Sequence, residues 1–356
     1  MTSFWSKLIP ILGALVLAAA IVVPMSAVLA AIYLLTLMGT VVCAVHHAEV
    51  VAHRVGEPFG TLVLALAVTI IEVALIVSIM LSGGPETAVV PRDTVFSAIM
   101  IICNGLIGLC LLIGGMRHHE QSFNIGGANA ALATLIALTT LSLVLPAFTT
   151  SSAGLTYSQS QLSFAAGASI VLWGTFVFVQ TVRHRDYFLP VENPDDENIH
   201  ATPPSNRAAW LSFAFLVLGL VVVVGLAKTL SPSIEAAVVH AGAPQATIGV
   251  LIAVLVLLPE TWAAIRAARA NRLQTSLNLA LGSALASIGL TIPAVALTSL
   301  LLGTPLQLGL QAKDLVLLTL TFLVTSITLV TGRTSVMQGA IHVVIFAAFL
   351  FLTLIP

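Results

Sequence analysis

Charge is the scarcest property of this chain. Only 8% of its 356 residues are charged, with 13 lysines and arginines against 14 acids, where soluble domains carry roughly 25%. Too few charges are present to coat a water-soluble body of this size, and no basic patch exists that could hold a nucleic acid. Cysteine is nearly absent too. Cys43, Cys103 and Cys110 lie in apolar stretches and form no CxxC pair, so they read as packing residues. No nucleotide-binding, HExxH or GxSxG motif occurs, which removes ATP as an energy source and the common hydrolase chemistries. What the chain has in excess is hydrophobicity, at 58% of residues. This composition predicts an all-α integral membrane protein embedded in the lipid bilayer.

A bilayer span needs ~20 apolar residues. Eleven such stretches are predicted, at 7–23, 26–47, 58–81, 94–115, 128–148, 161–182, 208–227, 245–266, 275–301, 312–331 and 337–355. The first resembles a signal peptide in its opening, but apolar sequence continues to Cys43 and it reads as a span. The one long connection, 183–207, holds Glu192, Asp195, Asp196 and Glu197 among four prolines. It fits a solvated linker or a weak calcium sensor, though its spacing is not that of an EF-hand loop. Positive residues collect on the cytoplasmic side. With the N-terminus inside, Lys7, Arg54, Arg117, Arg183, Arg185, Arg207, Arg266, Arg269, Arg272 and Arg333 fall inside, against Arg92, Lys228 and Lys313 outside. The C-terminus and the acidic connection are then predicted outside and cytoplasmic, respectively.

Two carboxylates sit deep in apolar spans, Glu72 in the third and Glu260 in the eighth. A charge at the bilayer centre costs on the order of 3 kcal/mol by insertion scales, so it normally faces a pathway or cavity. Setting the first span aside leaves two sets of five helices, each with its acid in the second helix. An odd number of spans per set inverts the second copy, and inverted repeats place an ion site at the midplane between them. The predicted organisation is a leading helix (1–25), a first five-helix repeat (26–182), the acidic connection (183–207) and a second repeat (208–356).

The surroundings of the two acids suit a cation. Pro259 has no amide hydrogen, so the Leu255 carbonyl loses its helical donor and is free to face an ion. Thr69 lies one turn before Glu72. The helix following each acid carries a small or polar stripe, Ser97, Asn104, Gly105 and Gly108 in one and Ser283, Ser287 and Thr291 in the other; such stripes also serve close helix packing. Oxygen-only ligands favour a hard cation such as calcium. Carboxylates in apolar surroundings can trade a proton for a cation near neutral pH. Proton-coupled cation exchange is the simplest mechanism these features allow, and a cation channel through the same acidic midplane is the alternative. Near the entry to the third span, Glu49 and Glu57 read as cation-recruiting groups or as partners of Arg54. His46, His47 and His53 read as pH sensors or as helix-end residues. His342 in the last span reads as a packing histidine.

The stretch AEVVAHRVGEPFGTLVLALAVTIIEVALI resembles the first repeat motif of the cation/proton exchanger branch of the cation/calcium exchanger superfamily. LPETWAAIRAARANRLQTSLNLALGSALASIGLTIP resembles the second. The HHAE–AHRVGEPFG segment and the late GRTSVMQGAIH resemble the bacterial calcium/proton antiporters of the ChaA type. The resemblance runs from about residue 40 to the end. It implies eleven helices, a cytoplasmic (inner) membrane location, no cofactor, and Ca2+ exchanged for H+ at Glu72 and Glu260, with Na+ and K+ as further substrates. Glu49, Glu57, Asn104 and Ser283 match further family positions. The pattern departs at Val68-Thr69 and Val256-Leu257, where the family carries Gly-Asn, and at Ala286 and Gln338, where it carries Gln and Glu.

Overall fold

The structure is a computed structural model that describes residues 4–23, 25–56, 59–82, 85–189 and 204–356. Among these residues the chain forms eleven apolar helices: α1 (Phe4–Val22), α2 (Ala27–Val55), α3 (Phe59–Ser82), α4 (Thr87–His118), α5 (Ile125–Ala147), α6 (Gln159–Arg183), α7 (Asn206–His240), α8 (Ala246–Arg269), α9 (Leu273–Leu302), α10 (Ala312–Val330) and α11 (Val336–Leu354). All but α1 are long and apolar enough to cross a membrane, and the apolar stretch of α1 is Phe4–Ala20.

The eleven predicted spans match eleven helices, but several ends move. α2 continues from 47 to Val55 and α7 from 227 to His240. In α7 the charge of Lys228 ends the apolar run without ending the helix, which needs only backbone hydrogen bonds to continue. Two short strands, β1 (Gln121–Ser122) and β2 (Arg333–Thr334), pair antiparallel and tie the α4–α5 connection to the α10–α11 connection.

The packing follows a pseudo-twofold pattern between α2–α6 and α7–α11. The first helices, α2 and α7, run along each other. The second helix of each repeat lies on the third of the other, α3 on α9 and α8 on α4. The third lies on the other's fifth, α9 on α6 and α4 on α11. Five crossings per repeat invert one against the other. Side chains divide into two large apolar clusters. One joins α4, α5, α6, α9, α10 and α11, with contributions from α8. The other joins α2, α3, α7 and α8, with α1 against its flank. α8 contributes to both clusters, and α3 packs on α9 where Glu72 meets Ser287.

Turns of π-helix interrupt three of the helices, at Ile101–Leu106 in α4, Thr140–Val144 in α5 and Val179–Arg183 in α6. Each inserts a residue into the helical repeat, which rotates the side chains beyond it.

Candidate ion-binding site

Helical periodicity aims both acids at one space. On α3, Leu64, Ala65, Val68, Thr69 and Glu72 recur at three- and four-residue steps and line a single cavity. On α8, Ala253, Val256, Leu257 and Glu260 repeat the same spacing and line the same cavity. The two glutamates thus come from opposite repeats to one wall-to-wall space of about 110 Å³. Both are buried, Glu72 at 3% and Glu260 at 7% exposure. From α9, Gly282, Ser283, Ala286 and Ser287 complete the floor.

The two carboxylates differ in what holds them. Ser287 Oγ donates a 2.7 Å hydrogen bond to Glu72 Oε1 across the repeat boundary. Glu260 Oε2 is buried with no hydrogen-bond partner. A hydrogen bond to a charged group stabilises by roughly 1.5–3 kcal/mol, and leaving a charged acceptor unsatisfied costs at least as much. Glu72 and Glu260 line the same cavity, so their charges repel one another when both are ionised. Like charges converging in a low-dielectric space call for a proton or a cation between them. Among the described residues no group of three or more His, Cys, Asp or Glu side chains is arranged to hold a metal ion, so side-chain charge at this site comes from the glutamates.

The cavity runs from the middle of the bundle toward one end. It reaches Leu64 in the second turn of α3, Asn278 in the second turn of α9, and Gln180 and Thr181 in the last turn of α6. Asn278 Nδ2 donates to the Phe188 carbonyl at 2.6 Å, which fixes it beside the start of the acidic connection. In the other direction, Ile76 lies one turn beyond Glu72. With Met80, Val295 and Leu306 it forms a separate apolar cluster that fills the space between α3 and α9.

Of the other predicted site residues, Thr69, Ser283 and Ser287 line the cavity. Ser97 is buried but lies outside the lining, which takes Ala98 from α4 instead. Leu255 and Pro259 are also outside it. Leu255 packs against the α2–α3–α7 cluster, of which Val256 is also a member. Asn104 does not reach the cavity. It sits in the π-turn of α4, where the added residue turns it toward α10 and α11. There its Nδ2 donates to Thr321 Oγ1 at 2.8 Å and its Oδ1 lies 3.1 Å from His342 Nδ1. His342 Nε2 meets Thr328 Oγ1 at 3.1 Å, so this packing histidine is the centre of a buried polar network. Gly108 makes room for it, since a Cβ there would stand 2.8 Å from His342 Cβ.

His46, His47 and Glu49 fall within α2 rather than at its end, because α2 extends to Val55. His47 is fully buried, stacks on Phe215 of α7 with ring centroids 5.2 Å apart, and bonds the Ser6 carbonyl of α1 at 2.8 Å. His46 approaches Glu49 at 4.0 Å. Gln338 caps α11: its Oε1 accepts from Ser335 N at 2.9 Å and Oγ at 2.6 Å. Glu57 and the loop acids Glu192, Asp195, Asp196 and Glu197 lie outside the described residues. Reading the sequence missed the α6 wall, Trp173, Phe176, Val177, Gln180 and Thr181. Gln180 and Thr181 are a polar pair ending an apolar helix, a signal that could have been used, whereas nothing local marks Trp173.

Two five-helix sets meeting around buried acids are the architecture of a membrane transporter built on internal repeats. The family model described as "Sodium/calcium exchanger protein" matches residues 11–182 and 211–355. The chain belongs to that family. It is 51% identical to the y4hA protein of Sinorhizobium fredii, over 99% of this chain and 96% of that one. It is 36% identical to the sodium-potassium/proton antiporter ChaA of Escherichia coli, over 91% and 88% of the two chains. Among solved structures, native YfkE superposes with a TM-score of 0.75 at 19% identity, covering 99% of this chain and 100% of that one. The H+/Ca2+ exchanger CAX superposes at 0.71 and 14% identity, covering 97% and 86%.

Proposed function

We propose that this protein is a secondary cation/proton antiporter of the cytoplasmic membrane, exporting Ca2+, with Na+ and K+ as further substrates, in exchange for protons. The observation that carries the reading is the meeting of Glu72 and Glu260, from opposite repeats, in one cavity that leads to one end of the bundle. Exchange requires that the site face one side at a time. The apolar cluster of Ile76, Met80, Val295 and Leu306 beyond Glu72 fits a state closed on the far side. A channel needs a continuous wet path, so this one-sided cavity favours the antiporter.

Protons and cations would compete for the same oxygens, which couples their movements without ATP. The substrate classes draw support from the antiporter named among the relatives at 36% identity and from the Ca2+/H+ antiporters of Aphanothece halophytica and Bacillus subtilis at 24% and 25%. The cavity mouth lies at the end where α6 finishes and α7 begins. Positive-inside counting makes that end cytoplasmic.

The test is proton flux in vesicles reconstituted with the purified protein and loaded with a pH-sensitive dye. Ca2+, Na+ or K+ added singly should drive proton movement. Glu72→Gln and Glu260→Gln should each fold, elute as the wild type in size-exclusion chromatography, and carry no exchange. Retained cation-driven flux in either variant removes that residue from the site.

A further inference from the structure

We propose that Arg92 is the positioning residue of a far-side seal: it fixes the 303–311 connection so that Leu306 closes the space beyond Glu72. The proposal rests on the reading of an exchanger that opens to one face at a time, and it names the part that holds the other face shut.

Arg92 and Asp93 stand near the start of α4, at the end of the bundle away from the cavity mouth, and neither lines the cavity. Both are buried, at 5% and 6% exposure, and Arg92 Nε donates to Asp93 Oδ1 at 2.7 Å. A buried ion pair adds little net stability, because desolvation offsets the attraction. What the pair positions is therefore the better account of it. Arg92 Nη1 donates to the Gly309 carbonyl at 3.3 Å, in the connection between α9 and α10. The rigid fork of donors lets one guanidinium hold the carboxylate and the carbonyl together.

That connection runs over residues 303–311 without helix or strand, yet its backbone is tied to the first repeat at three places. Gln307 N donates to the Ala88 carbonyl of α4 at 3.0 Å. Gly309 N donates to Leu155, between α5 and α6, at 2.9 Å, and Leu310 N donates to Leu143 of α5 at 3.0 Å. Gly309 has no side chain where a Cβ would stand 2.9 Å from both Ala147 N and Leu155 Cβ. Leu308 and Leu310 are buried in the larger apolar cluster. Leu306 packs on that cluster too, and also on Ile76, Met80 and Val295. Ile76 lies one turn beyond Glu72 on α3. A segment of the second repeat, anchored on the first, thus carries the side chain that closes the path past Glu72. Arg92 supplies its charged anchor, and a charged donor makes a stronger bond than a neutral one.

The experiment labels single cysteines in the full chain with a membrane-impermeant maleimide, in right-side-out and inside-out membrane vesicles. Cys43, Cys103 and Cys110, all buried, are replaced by alanine. Gly282→Cys marks the mouth face, since Gly282 lines the cavity and a Cβ there meets nothing within 4 Å. Val295→Cys, fully buried in the seal, marks the far face. With the seal intact, Gly282→Cys should react from one face and Val295→Cys only slowly from either. Leu306→Ala should raise the Val295→Cys rate about tenfold, from the face opposite the one that labels Gly282→Cys. Leu306→Met should keep that rate near its starting value. Arg92→Lys keeps a charge beside Asp93 but loses the fork, and should raise the rate about tenfold from the same face.

The second readout is sided transport in the chain with its native cysteines. In Arg92→Lys and Leu306→Ala, the KM for cation offered at the far face should fall, by up to about tenfold. The KM at the mouth face should not fall, because molecules pass from one population to the other. A residue that only supports the fold would lower Tm and maximal flux and leave the ratio of the two KM values as it was. An unchanged Val295→Cys rate in Arg92→Lys overturns the proposal, and so does an unchanged KM ratio. Leu306→Ala labelled no faster than the chain it derives from overturns it as well. If Arg92→Lys does not fold, Arg92→Gln combined with Asp93→Asn leaves no buried charge unpaired and is read by the same criteria. Labelling does not depend on flux, so a chain labelled as expected that moves no cation fails the transport reading and not this one.

Discussion

Ser287 on α9 donates its hydroxyl to Glu72 on α3 at 2.7 Å, so a residue of the second repeat holds the acid of the first. The converse contact is missing: Glu260 Oε2 is buried and unpartnered. The two acids are alike in depth and in cavity but not in support. Glu72 is the positioned carboxylate, and Glu260 is the one that waits for a proton or a cation.

Ser287→Ala should therefore weaken cation binding without abolishing exchange. Losing a hydrogen bond to a charged group is worth about tenfold in apparent affinity. Ser287→Thr keeps the hydroxyl and should recover most of it. The measurement is the cation concentration for half-maximal proton flux in vesicles. An affinity unchanged in Ser287→Ala means that the bond seen here is not made in the cation-loaded state.

Glu260→Gln should stabilise the protein while ending its activity. The amide removes a buried charge whose Oε2 accepts no hydrogen bond, and functional sites commonly carry such a cost. The gain in Tm should be larger at pH 9 than at pH 6, because the wild-type carboxylate pays for its charge only when ionised. A variant less stable than wild type at pH 9 would show that Glu260 has a partner in the resting state.

Much of this arrangement was legible because the bilayer leaves a chain few options. Eleven apolar runs predicted eleven helices, since a backbone in lipid must satisfy its own hydrogen bonds. Glu72 and Glu260 stood out because a charge in such a run is expensive, and their matching places in two odd-numbered sets revealed the inversion. The misreadings have local causes. Asn104 was placed among the supporting residues from the polar stripe of its span and from the family position it matches, whereas in the π-turn at Ile101–Leu106 it bonds Thr321 and faces His342. Leu255 was named for its freed carbonyl, and it is not among the residues that line the cavity. Trp173 carries no signal because its place depends on the distant Gly289.

The network around His342 should matter for folding more than for affinity. His342→Ala removes the partners of Asn104 Oδ1 and Thr328 Oγ1 in a fully buried space, while Asn104 Nδ2 keeps its bond to Thr321. Cavity and unsatisfied groups together should cost ~2–4 kcal/mol. Tm should fall, while the KM for the cation stays near the wild-type value in the protein that remains folded. A selective rise in KM at unchanged Tm would return Asn104 to the ion site by an indirect route.

The pH dependence of cation affinity distinguishes the transported ions on one preparation. Each cation occupies oxygens that a proton would otherwise hold, so lowering the pH must weaken cation binding and raising it must strengthen binding. The steepness depends on charge. A monovalent ion replaces about one proton at the Glu72–Glu260 pair, and a divalent ion replaces up to two. A plot of log apparent affinity against pH should thus rise with a slope near one for Na+ or K+, and steeper than one for Ca2+. The measurement is KM for each ion in vesicles from pH 6 to 9. In Glu72→Gln and Glu260→Gln, binding of Ca2+ followed by calorimetry should lose one proton from its slope, since each variant retains a single titrating acid. A flat profile for every ion removes direct competition and requires a proton route apart from the cavity. Equal slopes for Na+ and Ca2+ keep the competition but deny that both acids titrate with the cation.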